Sequence, residues 1–385
     1  MLSSFDSRSR KTLVAAIGSV SVVGIGLSLA IPLLSLRLEA AGVPAVGNGF
    51  QVAVSGLATL AGAPLAPPLA RRFGLRRLLF WALALAVASL LGFGLTDDFR
   101  LWLVLRGLFG LSLTLIFVIS EYWISAAAPR GQRGFALGLY ATSLSVGFVI
   151  GPALLGMTGP QGFAPFLLAA GLIGLAAVPI LLAVDAEMPK MEGSGWPNFP
   201  ALWAAAPAAL AASLLFGAVE TGLSSLLPVF GLRAGFSPSW AAFQLSVFAL
   251  GNVVFPIPLG LLADRMNKTR LLVFCALAGL AGALFLPGLV PSPRTYALVL
   301  FVWGGIAGGL YTVGLALLAD KFHGARLAGA NAAYVSLYAL GMICGPPIVG
   351  LGLDAAPAHG LFDALALFFV AYLALVLVKR GLTKR

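Results

Sequence analysis

Two carboxylates and one guanidinium lie inside runs that are otherwise apolar. Glu121 falls in FVISEYWIS, Glu220 in LFGAVETGLSS and Arg106 in LWLVLRGLFG. An isolated ion in hydrocarbon is costly, so each carboxylate must be neutral, paired or in contact with water. The chemistry open to such a group is the binding and release of a proton. Ser213, Gly217, Glu220 and Ser224 share one face at helical spacing, which predicts a stripe facing a cavity. Arg106, Gly110, Phe117 and Glu121 fall near one stripe of their own segment. The plain alternatives are a Glu220 hydrogen-bonded to a neighbouring helix, a Glu121 paired with Arg130 or Arg133, and an Arg106 that snorkels to an interface.

The elements that position these residues are long apolar segments. Hydrophobic residues make up 60% of the 385 residues and charged residues 10%. A soluble chain of this size could not hide so much apolar surface. Twelve runs reach the length of about 20 residues that crosses a bilayer: roughly 13–36, 46–69, 78–96, 101–127, 134–157, 163–184, 201–230, 239–263, 271–291, 295–319, 327–352 and 361–379. Numbered in order as helices 1 to 12, they place Arg106 and Glu121 in helix 4 and Glu220 in helix 7. The net charge of +11 follows the loops: 19 of the 24 Lys and Arg residues fall in the N-tail, the even-numbered loops and the C-tail. That bias puts both termini in the cytoplasm. The basicity therefore reports topology and excludes a nucleic-acid partner.

The chain also repeats itself. Residues 138 to 156, GLYATSLSVGFVIGPALLG, and 332 to 350, AAYVSLYALGMICGPPIVG, align without a gap at an offset of 194. Gly147, Gly151 and Pro152 fall on Gly341, Gly345 and Pro346. Small residues at this spacing let helices approach closely in lipid, and each proline removes a helical hydrogen bond. The fold expected is an all-α integral membrane protein, with twelve transmembrane helices in two six-helix bundles related by a pseudo-twofold axis. The bundles are 1–184 and 201–385, joined by a polar cytoplasmic linker at 185–200. Glu121, Glu220 and Arg106 map onto Leu315, Gly26 and Leu300, so the glycines are duplicated and the charges are not. Duplicated residues are read as packing and unduplicated charges as function.

Between helices 8 and 9 the chain reads GLLADRMNKTRLL, and between helices 2 and 3 PPLARRFGLRRLL. The first string resembles the loop signature of the major facilitator superfamily at Gly260, Leu262, Ala263, Asp264, Arg265 and Lys268. Asn267 stands where that signature has glycine. The other copy keeps Arg72 and Gly74 but has Arg71 in place of the acid. The resemblance implies that Asp264 and its basic turn form a polar clasp favouring one closed state. Arg106 and Gly110 are similar to the family's helix 4 signature, which implies a coupling role for the arginine. The helix 5 string from Gly138 to Gly156 is similar to the motif of the proton-coupled drug antiporter branch.

Further polar and aromatic residues are candidates to line a central cavity: Gln51 on a face with Asn48 and Ser55, Tyr122 and Trp123 beside Glu121, Tyr140, Gln244, Asn252, Asn331, Tyr334 and Tyr338. Together they suit an apolar or aromatic solute. The reading is a secondary transporter moving a small organic solute by alternating access, with proton-coupled export of an apolar or amphiphilic compound ahead of proton-coupled uptake of a small metabolite. There is no phosphate loop for ATP and no nucleophile elbow, which argues against an enzyme. His323, His359, Cys275 and Cys344 make no metal spacing or disulfide framework, so neither metal nor cofactor is expected. The partners expected are the solute, protons and the lipid of a bacterial-type inner membrane, with the chain acting as a monomer.

Overall fold

A computed structural model describes residues 7–127, 133–182 and 199–382. Nearly all of the expected linker at 185–200 lies outside the described residues, as do Arg130 and the side chain of Arg133. Among the described residues every regular element is helical. Twelve helices are long and apolar enough to cross a membrane: Leu13–Ala40, Ala45–Phe73, Leu75–Leu95, Phe99–Ile124, Leu139–Thr158, Ala164–Leu182, Pro207–Arg233, Pro238–Arg265, Lys268–Leu289, Pro293–Lys321, Gly329–Ala355 and Gly360–Val378. They keep the numbers 1 to 12. Large apolar side chains such as Leu57, Trp81, Val104, Leu167, Leu277 and Leu377 stand exposed around them. Water would penalise that surface and lipid accepts it. In lipid the backbone must satisfy itself, which helices do. The chain is a multi-pass membrane protein.

The ends of the helices follow local chemistry. Helices 1 and 7 close alike, each on a glycine with positive φ, Gly42 at 75° and Gly235 at 86°. The next residue donates back five positions in each case, Val43 to Leu38 at 3.0 Å and Phe236 to Gly231 at 2.9 Å. That is the left-handed glycine closure that satisfies the last carbonyls. Helix 8 begins with Ser237, whose hydroxyl accepts from the Trp240 amide, and Pro238 follows. Helix 8 is interrupted at Phe255, before Pro256 and Pro258, which lack amide donors.

The contacts divide the chain into two units. The first comprises residues 1–37 and 57–193, the second 38–56 and 194–385. By sequence position 38–56 belongs with the first six helices; by packing it goes with the last six. Within the first unit, helix 5 lies against helix 1. A methyl group on Gly151 would fall 2.0 Å from the Ser28 Oγ and 2.6 Å from the Ile25 carbonyl oxygen. Ser28 donates to the Gly147 carbonyl at 2.8 Å. An edge-on aromatic chain, Phe109–Phe93–Trp102–Phe166, joins helices 3, 4 and 6 of this unit.

In the second unit the equivalent helices pack in the equivalent way. A methyl on Gly345 would lie 2.4 Å from the Ala218 Cα, and one on Gly341 would lie 2.2 Å from the Leu214 carbonyl oxygen. Helix 7 is the most buried of the twelve, with 83% of its most apolar window inside. Leu223, Leu226, Leu227 and Phe230 carry the core around it.

Candidate functional site

Glu121 in the first unit and Glu220 in the second lie away from the ends of their spans, and each meets a tyrosine. In the first unit the Tyr140 hydroxyl, on helix 5, donates to Glu121 Oε1 at 3.0 Å. Tyr140 is buried, whereas Glu121 is exposed. Trp123, two residues on, is fully buried and Tyr122 half-buried. In the second unit the Tyr338 hydroxyl, on helix 11, donates to Glu220 Oε2 at 2.5 Å. Glu220 and Tyr338 are both half-buried. Neither carboxylate has an ion pair among the described residues.

The surroundings of Glu220 are aromatic. Phe216 lies one turn before it on helix 7, with its ring 5.5 Å from Tyr311 and 6.2 Å from Tyr338. Tyr311, on helix 10, is 6.1 Å from Tyr338 and 5.2 Å from Tyr334. Tyr334 is wholly buried and donates to the Tyr311 carbonyl at 2.9 Å. Phe216, Tyr311 and Tyr334 thus cluster with the phenol that holds the half-buried carboxylate. Tilted rings at these distances form a cohesive cluster that also offers faces to an apolar guest.

The stripe of Ser213, Gly217, Glu220 and Ser224 requires a correction. It faces helix 11, not open space. Ser213 donates to the Tyr334 carbonyl at 2.6 Å, and a methyl on Gly217 would lie 2.3 Å from the Tyr338 carbonyl oxygen. Periodicity marks the face that avoids lipid, and close approach of two backbones at small residues fills that face. Ser213 and Gly217 are buried, and the stripe reaches partly open positions at Glu220 and Ser224.

Arg106 is 5% exposed, with its guanidinium 5.9 Å from the Phe109 ring centroid. It is placed as a buried cation against an aromatic face, not as a side chain reaching an interface. Fifteen residues of one helix, about 22 Å of rise, separate it from Glu121. The two share a stripe but not a site in this structure.

The remaining cavity candidates divide. Gln51 and Gln244 are almost fully buried, and Gln244 accepts from the Tyr296 hydroxyl at 2.8 Å. Asn252 is half-buried, and a methyl on Gly308 would collide with its amide oxygen. Asn331 is exposed on helix 11. A shallow apolar groove of about 680 Å³ runs along helix 6 from Ala164 to Val178 and includes none of these residues. Among the described residues no group of three or more His, Cys, Asp or Glu could hold a metal.

The model of the Major Facilitator Superfamily matches residues 16–304 and again 235–385. The chain belongs to the major facilitator superfamily. Its relatives are transporters, not enzymes. It is 26% identical over 94% of its length to the uncharacterized MFS-type transporter YfkF of Bacillus subtilis (strain 168), covering 93% of that protein. It is 25% identical over 84% of its length to an uncharacterized MFS-type transporter of Enterobacter sp. (strain 638), covering 84% of it. Among solved structures it resembles a bacterial homolog of the human lysosomal transporter Spinster in an inward-facing, unoccupied conformation. That match has a TM-score of 0.74 and 16% identity, covering 97% of this chain and 96% of the other. The nucleoside transporter NupG matches with a TM-score of 0.76 and 12% identity, covering 99% of this chain and all of NupG. At these identities the likeness to solved structures is one of fold.

The superfamily loop signature takes two conformations here. Gly74 turns the first copy with φ at 81° and ψ at 143°, a region closed to side chains. In the second copy Asn267 has φ at −63°, and its side chain accepts from the Arg270 amide at 3.1 Å. The asparagine that replaces glycine is therefore a helix cap. Gly260 leads into an exposed Asp264 and Arg265, and Asp264 has no ion pair among the described residues. Lys268 pairs instead with Asp320 at 2.7 Å. Arg72 lies exposed over the Phe73 ring.

The sequence reading missed Phe216 and Tyr311 as neighbours of Glu220. Phe216 stands four residues before Glu220, a spacing that placed it beside the acid in principle. It also missed Glu39, Arg233 and Asp354, which form an ion-pair cluster. Arg233 was one of only five basic residues against the charge bias, and it stands 194 residues after Glu39. Both signals were present in the sequence.

Proposed function

We propose that this transporter exports apolar or amphiphilic small molecules in exchange for protons, with Glu220 as its central coupling residue. The observation that carries this is Glu220 itself: a carboxylate in a membrane span, hydrogen-bonded to Tyr338, whose ring clusters with Phe216 and Tyr311, and with no ion pair among the described residues. Such a carboxylate needs a proton, a cationic group or water. A proton bound there removes the charge before the site closes, which ties loading to the conformational step. The aromatic faces supply the surface that an apolar solute would cover.

Glu121, which accepts a hydrogen bond from Tyr140, takes a second, more accessible place in the proton path. Arg106 fixes positive charge within helix 4. The two six-helix bundles, 1–184 and 201–385, are the bodies that alternate access, and the exposed Asp264 belongs to the state in which the cytoplasmic clasp is released. The charge bias of the loops supports cytoplasmic termini in a bacterial-type inner membrane, and the helix 5 glycines support the export branch. The chain is taken to work as a monomer, each copy holding its own Glu220.

The test uses everted vesicles loaded with the chain and a panel of lipophilic fluorescent dyes, cationic and neutral. An acid-inside gradient should drive dye into the lumen, and a protonophore should abolish the uptake. Gradient-driven entry of a polar metabolite into right-side-out vesicles, with no dye movement in everted ones, would contradict export.

A further inference from the structure

Arg76, in the first turn of helix 3, donates from a terminal nitrogen to the Ile180 carbonyl in the last turn of helix 6, at 3.4 Å. Its guanidinium also lies 6.0 Å from the Phe80 ring centroid. Neither segment supplies a carboxylate. The chain has no Asp or Glu between Glu39 and Asp97, and none between Glu121 and Asp185. Arg71, Arg72, Arg76 and Arg77 all fall in the first of these stretches. Arg71, Arg72 and Arg77 are exposed. Helix 3 starts at Leu75 behind Gly74, which has no side chain to cap it, so the positive end of the helix adds to the arginines. The second copy of the loop signature is arranged differently. Asp264 stands in place of Arg71, and Lys268 is paired with Asp320. Of the two copies, the first concentrates four positive charges with no acid among them.

The groove of helix 6 ends at this corner. Val178, the last residue that lines it, stands two positions before Ile180. Helix 6 buries Phe166, Ala169, Ala170 and Ile173, while Leu167, Gly171, Leu175 and Val178 are exposed. Two glycines make the hollow. Among the described residues, a methyl on Gly171 would meet nothing within 4 Å, and one on Gly174 would meet only Val87 of helix 3, at 3.7 Å. Neither glycine is therefore needed to admit a neighbouring helix. Helix 12, the sixth helix of the other half, exposes Leu367 and Val370 instead. From Ala164 to Val178 the helix rises about 21 Å. That exceeds the roughly 15 Å from the edge of the hydrocarbon core to its midplane.

We propose that this corner of the first unit binds one anionic phospholipid, with its phosphate on Arg76 and Arg77 and one acyl chain laid along the helix 6 groove. Charge complementarity selects the headgroup. Four arginines without an acid call for an anion, and the guanidinium fork matches phosphate geometry. A zwitterionic headgroup would bring its own ammonium into the same cluster. Trp81, exposed one turn after Arg77, packs edge-on with Phe73 at 5.1 Å and gives the headgroup level an aromatic anchor. The charge bias of the loops assigns this end to the cytoplasmic leaflet, where anionic lipids attract basic segments. The bound lipid bridges helices 3 and 6: its phosphate supplies the countercharge that neither helix carries, and its chain fills the hollow at Gly171 and Gly174. The inference rests on the membrane placement of the chain, and is independent of export, proton coupling and the solute.

Native mass spectra of the purified full chain, titrated with dioleoyl phosphatidylglycerol or dioleoyl phosphatidylethanolamine, test the site. The first phosphatidylglycerol should bind at least about tenfold more tightly than phosphatidylethanolamine. Arg76→Gln and Arg77→Gln should each weaken it about fivefold, and the pair more than about tenfold. Gly171→Leu fills the groove without altering charge and should weaken it at least about threefold. Arg265→Gln with Arg270→Gln removes two exposed charges from the second copy and should leave binding unchanged. Glycerol phosphate in excess should not displace the lipid, because it has the headgroup anion and no chain. Equal binding of the two lipids, or equal losses from the two arginine pairs, would mean diffuse attraction to basic loops and would overturn the site. Displacement by glycerol phosphate, or indifference to Gly171→Leu, would overturn it as well. Should the arginine pair not insert, Gly171→Leu decides, because its position is open. No transport is measured, so a failure here leaves the export reading standing, and a failure of export leaves the lipid site standing.

Discussion

In the first half of the chain a tyrosine on helix 5 donates to Glu121; in the second a tyrosine on helix 11 donates to Glu220. Helices 5 and 11 are equivalents under the repeat, but the acids are not, because Glu121 comes from helix 4 and Glu220 from helix 7. Their surroundings differ as well. Glu121 is exposed beside one phenol, whereas Glu220 is half-buried and its phenol packs with Phe216 and Tyr311. The first acid is exposed, so partners other than its phenol can reach it. The second depends on the phenol and on whatever else enters the aromatic nest. The same packing of glycine seams therefore supports two acids with different dependence on their neighbours, and the deeper one is better placed to link charge to closure.

The largest test of this comparison is of the shared scaffold. Gly151→Leu and Gly345→Leu should each cost several kcal/mol or prevent folding, because both positions touch the backbone of a neighbouring helix. Gly171→Ala, where nothing lies within 4 Å, is the control and should leave folded yield unchanged. If Gly345→Leu folds normally while Gly151→Leu does not, the halves do not share their packing logic.

Next in size are the phenols. Tyr338→Phe keeps the ring and removes the hydrogen bond to Glu220. The loss of a bond to a carboxylate away from water is worth about 1.5–3 kcal/mol, so gradient-driven transport should fall at least tenfold. Tyr140→Phe should cost less than about threefold, because water can replace its bond to the exposed Glu121. Equal effects of the two variants, measured as initial rates at matched expression, would remove the distinction between the acids.

The smallest effects concern the two copies of the loop signature. Gly74→Ala forces a side chain into a positive-φ turn and should destabilise by about 1–2 kcal/mol. Asn267→Ala removes a helix cap and should cost about 1 kcal/mol, while Asn267→Gly should cost only a few tenths. Thermal melting in detergent ranks the three. An Asn267→Gly variant as unstable as Asn267→Ala would show that the cap is not what the asparagine supplies.

Much of the fold was legible because its causes are local or periodic. Apolar runs of bilayer length gave twelve spans, and the boundaries followed Gly42, Gly235, Pro238 and Asn267, each of which acts within one turn of itself. The site was legible in its acids and less so in its partners. That Glu220 must have company followed from the cost of a lone carboxylate, but that the company is Tyr338, 118 residues on, depends on which helices meet. The stripe through Ser213 and Gly217 announced a face away from lipid; it could not say whether a cavity or helix 11 lay opposite. Arg106 and Glu121 lay on one stripe, yet 15 residues of helix hold them apart. The pairing of Glu39 with Arg233 was hidden for a related reason. The offset of 194 made them equivalents, and only the folded chain makes equivalents into neighbours.

Whether Glu220 binds the proton that drives transport is decided by removing its ability to titrate. Glutamine keeps its shape and hydrogen bonding and cannot titrate. Glu220→Gln, Glu121→Gln and the double variant, reconstituted in proteoliposomes, should be compared for accumulation of dye against its gradient and for dye exchange with no gradient. Glu220→Gln should lose accumulation and retain exchange, while Glu121→Gln should be slowed in accumulation without losing it. Concentrative transport by Glu220→Gln at the native rate and pH dependence would contradict proton binding at Glu220.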